Sequence, residues 1–129
     1  KMKESCDPTN KNYYKDFKKN CDEYFYLPHR DEARGVGGIF FDHLNTNDWE
    51  SDFNFIREVG KKTLDAITEI IETHKDKKWT KEEKEKQLIK RGRYVEFNLI
   101  WDRGTLFGLK TGGSTEAILM SMPPEAKWS

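Results

Sequence analysis

Tyr94-Val95-Glu96-Phe97-Asn98-Leu99-Ile100-Trp101-Asp102-Arg103-Gly104-Thr105 is the stretch on which the reading of this chain turns. From Arg93 to Trp101 the odd positions are mostly apolar, whereas the even ones carry Tyr94, Glu96, Asn98, Ile100 and then Asp102. A period of two predicts a strand with one core face and one face bearing Glu96, Asn98 and Asp102. Asn and Asp are poor strand formers, so two on one face call for a reason. Asp102-Arg103-Gly104 would end the strand, setting a carboxylate and a guanidinium at a sheet rim suited to holding a charged ligand.

Outward from it, Thr105–Lys110 and Thr115–Met122 read as two more strands, turned by Thr111-Gly112-Gly113-Ser114 and ended by Pro123-Pro124. Before it, Thr80-Lys81-Glu82-Glu83 is a capping-box pattern that starts a helix. Asn45 to Asp48 offers caps for a long helix running to about Thr73, with Trp49, Phe53, Ile56, Gly60, Leu64, Ile67 and Ile71 as its apolar stripe. Gly35-Val36-Gly37-Gly38-Ile39-Phe40-Phe41-Asp42 reads as a short buried strand whose glycines imply close backbone approach. Tyr13, Phe17, Cys21 and Tyr24 recur at helical spacing, and Pro28 stops that helix. The expected fold class is α+β: one domain over 1–129, with an antiparallel β-sheet, a β-meander in the C-terminal third, flanked by helices.

Lys plus Arg and Asp plus Glu balance at 23 each, so no net field draws in nucleic acid or anionic lipid. No apolar run is long enough for a membrane span, and the first residues show no signal-peptide pattern. Cys6 and Cys21 read as two reduced thiols. The segment from Lys75 to Arg93 interleaves Glu82, Glu83 and Glu85 with its lysines and reads as a solvated helix rather than a nucleic-acid face. His29, His43 and His74 form no metal-ligand spacing, so no metal site is expected. Neither glycine group matches a phosphate-binding motif. Arginines remain the informative charges: Arg30 and Arg34 before the glycine strand, Arg103 after Asp102, and Arg91 and Arg93 at the far end of the opening strand. Guanidinium groups hold carboxylates and phosphates in a planar fork that lysine cannot offer.

Three segments together resemble the oxygen-dependent coproporphyrinogen III oxidase family. They are Cys21-Asp22-Glu23-Tyr24-Phe25-Tyr26-Leu27-Pro28-His29-Arg30 running into Glu32–Asp42; Arg91-Gly92-Arg93 with the opening stretch and Phe107-Gly108-Leu109; and Ile118-Leu119-Met120-Ser121-Met122-Pro123-Pro124. The resemblance covers nearly the whole chain and corresponds to the C-terminal half of the family's length. It implies a large flat antiparallel sheet between helices, a homodimer, and a cytoplasmic protein of bacterial type rather than a mitochondrial one. It also implies oxidative decarboxylation of two propionates of coproporphyrinogen III to vinyl groups, giving protoporphyrinogen IX in haem biosynthesis. Molecular oxygen would be the co-substrate, with no metal or organic cofactor. By the same resemblance Asp102 and Arg103 are the catalytic pair, and Arg30, Arg34, Gly113, Ser114 and Thr115 bind substrate. This chain departs from the pattern at Asp31, where the family usually has Gly, and at Ser114, where many members carry Arg. The family's earlier half, with its proton-donating histidine and Asn-x-Arg clamp, is not in these residues. The alternative is a non-catalytic fragment that binds tetrapyrrole or self-associates through exposed sheet edges.

Overall fold

The computed structural model describes residues 1–128 and is mostly helical. In chain order the elements are α1 (Met2–Cys6), α2 (Tyr13–Tyr24), β1 (Tyr26–Leu27), β2 (Glu32–Ala33), α3 (Trp49–His74) and α4 (Lys81–Glu96). A single π-helical turn (Phe97–Trp101), α5 (Arg103–Lys110) and α6 (Thr115–Leu119) complete it. The chain divides into two compact units, one formed by Lys1–Tyr24 with Gly37–Lys78, the other by Phe25–Val36 with Trp79 onward.

In the first unit α2 and α3 form where their caps and periodicities place them. The Asp48 carboxylate accepts from the N–H of Ser51 at the start of α3. Tyr13 and Phe17 of α2 pack their rings on Phe55 of α3 and on Phe41, with centroids 4.6 to 6.1 Å apart. The glycine segment expected as a strand is extended but pairs in no ladder; the N–H of Phe40 bonds instead to the carbonyl of Phe17 in α2. Its close approach is real: a Cβ on Gly37 would lie 3.2 Å from the Asp22 carboxylate, and the N–H of Gly38 reaches Cys21 Sγ at 3.3 Å. Cys6 and Cys21 are both buried free thiols.

The long helix buries a different face from the one its apolar stripe suggests. Phe55 is 1% exposed, while Leu64 of the stripe is 66% exposed and Ile67 and Ile71 about half. Phe55→Ala is therefore expected to cost about 3–5 kcal/mol in chemical unfolding, by loss of a buried ring. Leu64→Ser should stay within about 0.5 kcal/mol. A larger loss from Leu64→Ser than from Phe55→Ala would show that the stripe, not Phe55, faces the core.

The second unit contains the main correction. The C-terminal β-meander and the large flat sheet are absent among the described residues; the only sheet pairs Tyr26 with Ala33 and Leu27 with Glu32. The sheet edges expected as an association surface shrink accordingly to two residues a strand. The opening stretch is helical. Capped reciprocally by Thr80 and Glu83, α4 runs on to Glu96, then widens by one residue in the π-turn, where the N–H of Asp102 reaches the carbonyl of Phe97. Its buried residues are Leu88, Gly92, Arg93, Glu96 and Phe97, spaced by four and five along a helix. Because two of these are charged, the buried face shows no apolar period of 3.6, and the period of two among the remaining side chains misleads. Thr105–Lys110 lies in α5, capped by Asp102, and the expected third strand contains α6, capped by Ser114. The supposed hairpin turn is a helix stop: Gly112 at φ +74° donates to the carbonyl of Leu109 and Gly113 to that of Gly108. Gly92 admits the tail against α4, since a Cβ there would fall 2.2 Å from the carbonyl oxygen of Lys127.

Candidate functional site

The site is built where the β1–β2 turn meets the C-terminal end of α4. Pro28 sits second in a tight turn closed by the Arg30 N–H on the carbonyl of Leu27, presenting His29 and Arg30 side by side. Asp31 completes the loop at φ 53°, a left-handed conformation that Gly adopts most readily. Asp tolerates it, and its carboxylate accepts from the Tyr26 hydroxyl.

Glu96, 8% exposed, is the hub. Arg30 grips its carboxylate with Nε at 2.9 Å and Nη2 at 2.6 Å, and His29 Nε2 lies 2.8 Å from Oε2. Arg93 Nη1 stands 3.6 Å from Oε1. The Arg30 bonds, then those of His29 and the charge of Arg93, outweigh burial and hold the Glu96 carboxyl down to about 2. On its other edge His29 Nδ1 accepts the indole N–H of Trp101 at 3.1 Å. An indole only donates, so Nδ1 carries no proton and Nε2 donates to Glu96. Turn, helix end and π-turn are thus tied through one carboxylate and one imidazole.

That π-turn delivers Asp102. The residue is extended (φ −70°, ψ 115°), and its Oδ2 accepts from both the N–H and the hydroxyl of Thr105 at 2.8 Å, capping α5. Arg103 is the first helical residue of α5. The acid and base adjoin at a helix start rather than at a strand rim. Of the remaining expected substrate residues, Arg30 is committed to Glu96 by two bonds. Gly113 spends its N–H on Gly108, and Ser114 and Thr115 sit exposed at the start of α6, with Ser114 Oγ accepting from Ala117.

Arg34 lies elsewhere. Its guanidinium rests on the rings of Phe25, Tyr94 and Phe97, 4.1 to 5.1 Å from their centroids. It lines an open cleft of about 780 Å³ between β2 and α4, together with Glu32, Gln87, Lys90, Arg91 and Tyr94. Glu32 is occupied by Lys90 and Arg93, whose hydrogen bonds hold its carboxyl below the usual range. Sequence reasoning gave no role to Glu96 or His29 and assigned none to Arg91 and Lys90. Glu96 had one available signal, a carboxylate recurring at helical spacing from Leu88 and Gly92.

Among the described residues no cluster of three or more His, Cys, Asp or Glu could hold a metal ion, and no helix is long and apolar enough to cross a membrane.

The family model for coproporphyrinogen III oxidase matches residues 1–129. The chain is 60% identical over 128 residues to the oxygen-dependent coproporphyrinogen-III oxidase of Rickettsia bellii, 59% to that of Rickettsia africae and 58% to that of Rickettsia akari. Each alignment takes in 99% of this chain and 46% of the relative, so the chain spans about half the length of these curated proteins. A match running from the first residue to the last, through the Arg30–Glu96 anchor and the Asp102 cap alike, leaves one assignment: this chain belongs to the coproporphyrinogen III oxidase family.

Proposed function

We propose that this chain supplies part of the active site of an oxygen-dependent coproporphyrinogen III oxidase, acting in haem biosynthesis on the propionates of coproporphyrinogen III with molecular oxygen as co-substrate and no metal or organic cofactor. The observation that carries this reading is the family match over the whole chain at about 60% identity to enzymes of that name. In this reading Asp102 takes or holds a pyrrole N–H proton, and Arg103 beside it steers a propionate or a developing anion. Thr105 fixes the direction of the carboxylate through the two bonds to Oδ2. Arg34 meets substrate carboxylate, and Ser114 and Thr115 can add hydroxyl donors. Arg30 organises the site through Glu96 rather than by touching the ring, because its Nε and Nη2 are already bound there. The working enzyme is a cytoplasmic homodimer.

Co-expression of this chain with the remainder of the Rickettsia bellii relative tests the reading. The pair is expected to release CO2 from coproporphyrinogen under air and to stop under argon, with size-exclusion light scattering giving the mass of a dimer. A well-folded pair with no oxygen-dependent turnover would remove the enzymatic reading.

A further inference from the structure

We infer that the cleft between β2 and α4 is a carboxylate-binding subsite in which Arg91 acts with Arg34 on the acidic arm of a ring-shaped ligand. The inference deepens the coproporphyrinogen reading and rests on it for the identity of that ligand.

Four of this unit's five arginines, Arg103 aside, sort by what they already hold. Arg30 and Arg93 are each tied to a carboxylate, Glu96 and Glu32 respectively. Arg34 and Arg91 make no ion pair among the described residues, and both line the cleft. Glu32, the one carboxylate in the lining, is matched by Lys90, so the cleft keeps an excess of positive charge. A guanidinium without an anionic partner, half-withdrawn into a concave wall, is poised for a ligand that brings the anion.

Geometry makes the pair specific. Gln87, Lys90, Arg91 and Tyr94 recur at i, i+3, i+4 and i+7, which puts them on one face of α4 toward β2. Arg34 enters from the strand side with its guanidinium carbon 4.1 to 5.1 Å from the centroids of three aromatic rings, which restrict the fork before any ligand arrives. Ala33, Val36 and the Tyr94 ring supply apolar wall beside these donors. Apolar wall plus a few convergent charges at this volume is the pattern of a small-molecule site. A nucleic-acid face would need a longer basic stripe than two arginines and one paired lysine.

Fluorescence titration of the chain with coproporphyrin III, the stable oxidised ring bearing four carboxylates, tests the subsite against the uncharged tetramethyl ester. Glutarate and inorganic phosphate serve as competitors. The acid is expected to bind at least about tenfold more tightly than the ester, and Arg91→Met to remove about tenfold in affinity, the size of one charge-assisted hydrogen bond. Arg91 is the deciding variant because it has no ion pair among the described residues to lose; Arg34→Lys, which keeps charge but not the fork, should weaken binding several-fold. Equal affinity for acid and ester, unchanged affinity in Arg91→Met, or no binding of either together with no Arg91-dependent binding of glutarate would each overturn the subsite. Displacement by phosphate but not by glutarate would overturn its carboxylate preference. Glutarate binding that depends on Arg91, with no affinity for coproporphyrin, would uphold the subsite and remove the tetrapyrrole as its occupant. In the co-expressed enzyme, turnover with an unchanged KM in Arg91→Met would overturn the subsite while leaving the enzymatic reading intact.

Discussion

Glu96→Gln is expected to lower the unfolding free energy by about 3 kcal/mol at pH 7, the largest single effect in the second unit. The carboxyl is held from its ordinary 4.5 down to about 2, chiefly by the two Arg30 bonds, and the group is 8% exposed, so solvent screens little of this. A depressed folded-state value means that the unfolded chain binds the proton more readily. The stabilisation is therefore complete above about pH 5 and disappears as the pH falls from there toward 2. Gln keeps the shape but leaves Arg30 without its anion and Arg93 with Glu32 alone. Urea unfolding followed across pH 2–7 should show a steep acid loss in the parent chain and a shallower one in the variant. Removing the hub should also free the His29–Trp101 bond and shift Trp101 emission. Superimposable acid profiles would mean that Glu96 does not hold the turn to the helix.

That hub also explains what could be read from residues alone. The starts of α3 and α4 were legible because their caps are local: Asp48 with Ser51, and Thr80 with Glu83. The continuation of α4 was not, because its buried face contains Arg93 and Glu96, and a charged side chain reads as solvent-facing until its partner is known. Those partners, His29, Arg30 and Glu32, come from a turn more than sixty residues earlier. A similar non-local dependence hid which face of α3 is covered: the helix was legible from its period, but Phe55 is buried by Tyr13, Phe17 and Phe41, which no pattern within α3 reveals. In the site, Arg34 was legible as an arginine before a glycine-rich segment. His29 shows no metal-ligand spacing in the sequence, and its work is to bridge a carboxylate and an indole. For Asp102 and Arg103 the strand end expected from the sequence is not there: one residue caps a helix that the other begins.

Capping sets up the second large effect, because it gives Asp102 a structural duty that the proposed chemistry does not need. Asn caps helices about as well as Asp, so Asp102→Asn should retain the Thr105 bonds and cost only about 0.5 kcal/mol, from charge lost at the helix start. It removes the proton-accepting carboxylate, however, and turnover by the co-expressed enzyme should fall about 10²–10⁴-fold. Asp102→Ser also keeps a capping oxygen and should fall comparably in rate. Asp102→Ala loses the cap as well, adding about 1 kcal/mol of destabilisation to the same loss of rate. The three variants thus separate two roles that a single substitution would confound. Rates that follow the cap, with Asn and Ser near the parent and Ala low, would make Asp102 a structural residue only. Rates that collapse in all three while stability falls in Ala alone place the carboxylate in the chemistry, held in its direction by the hydroxyl and N–H of Thr105.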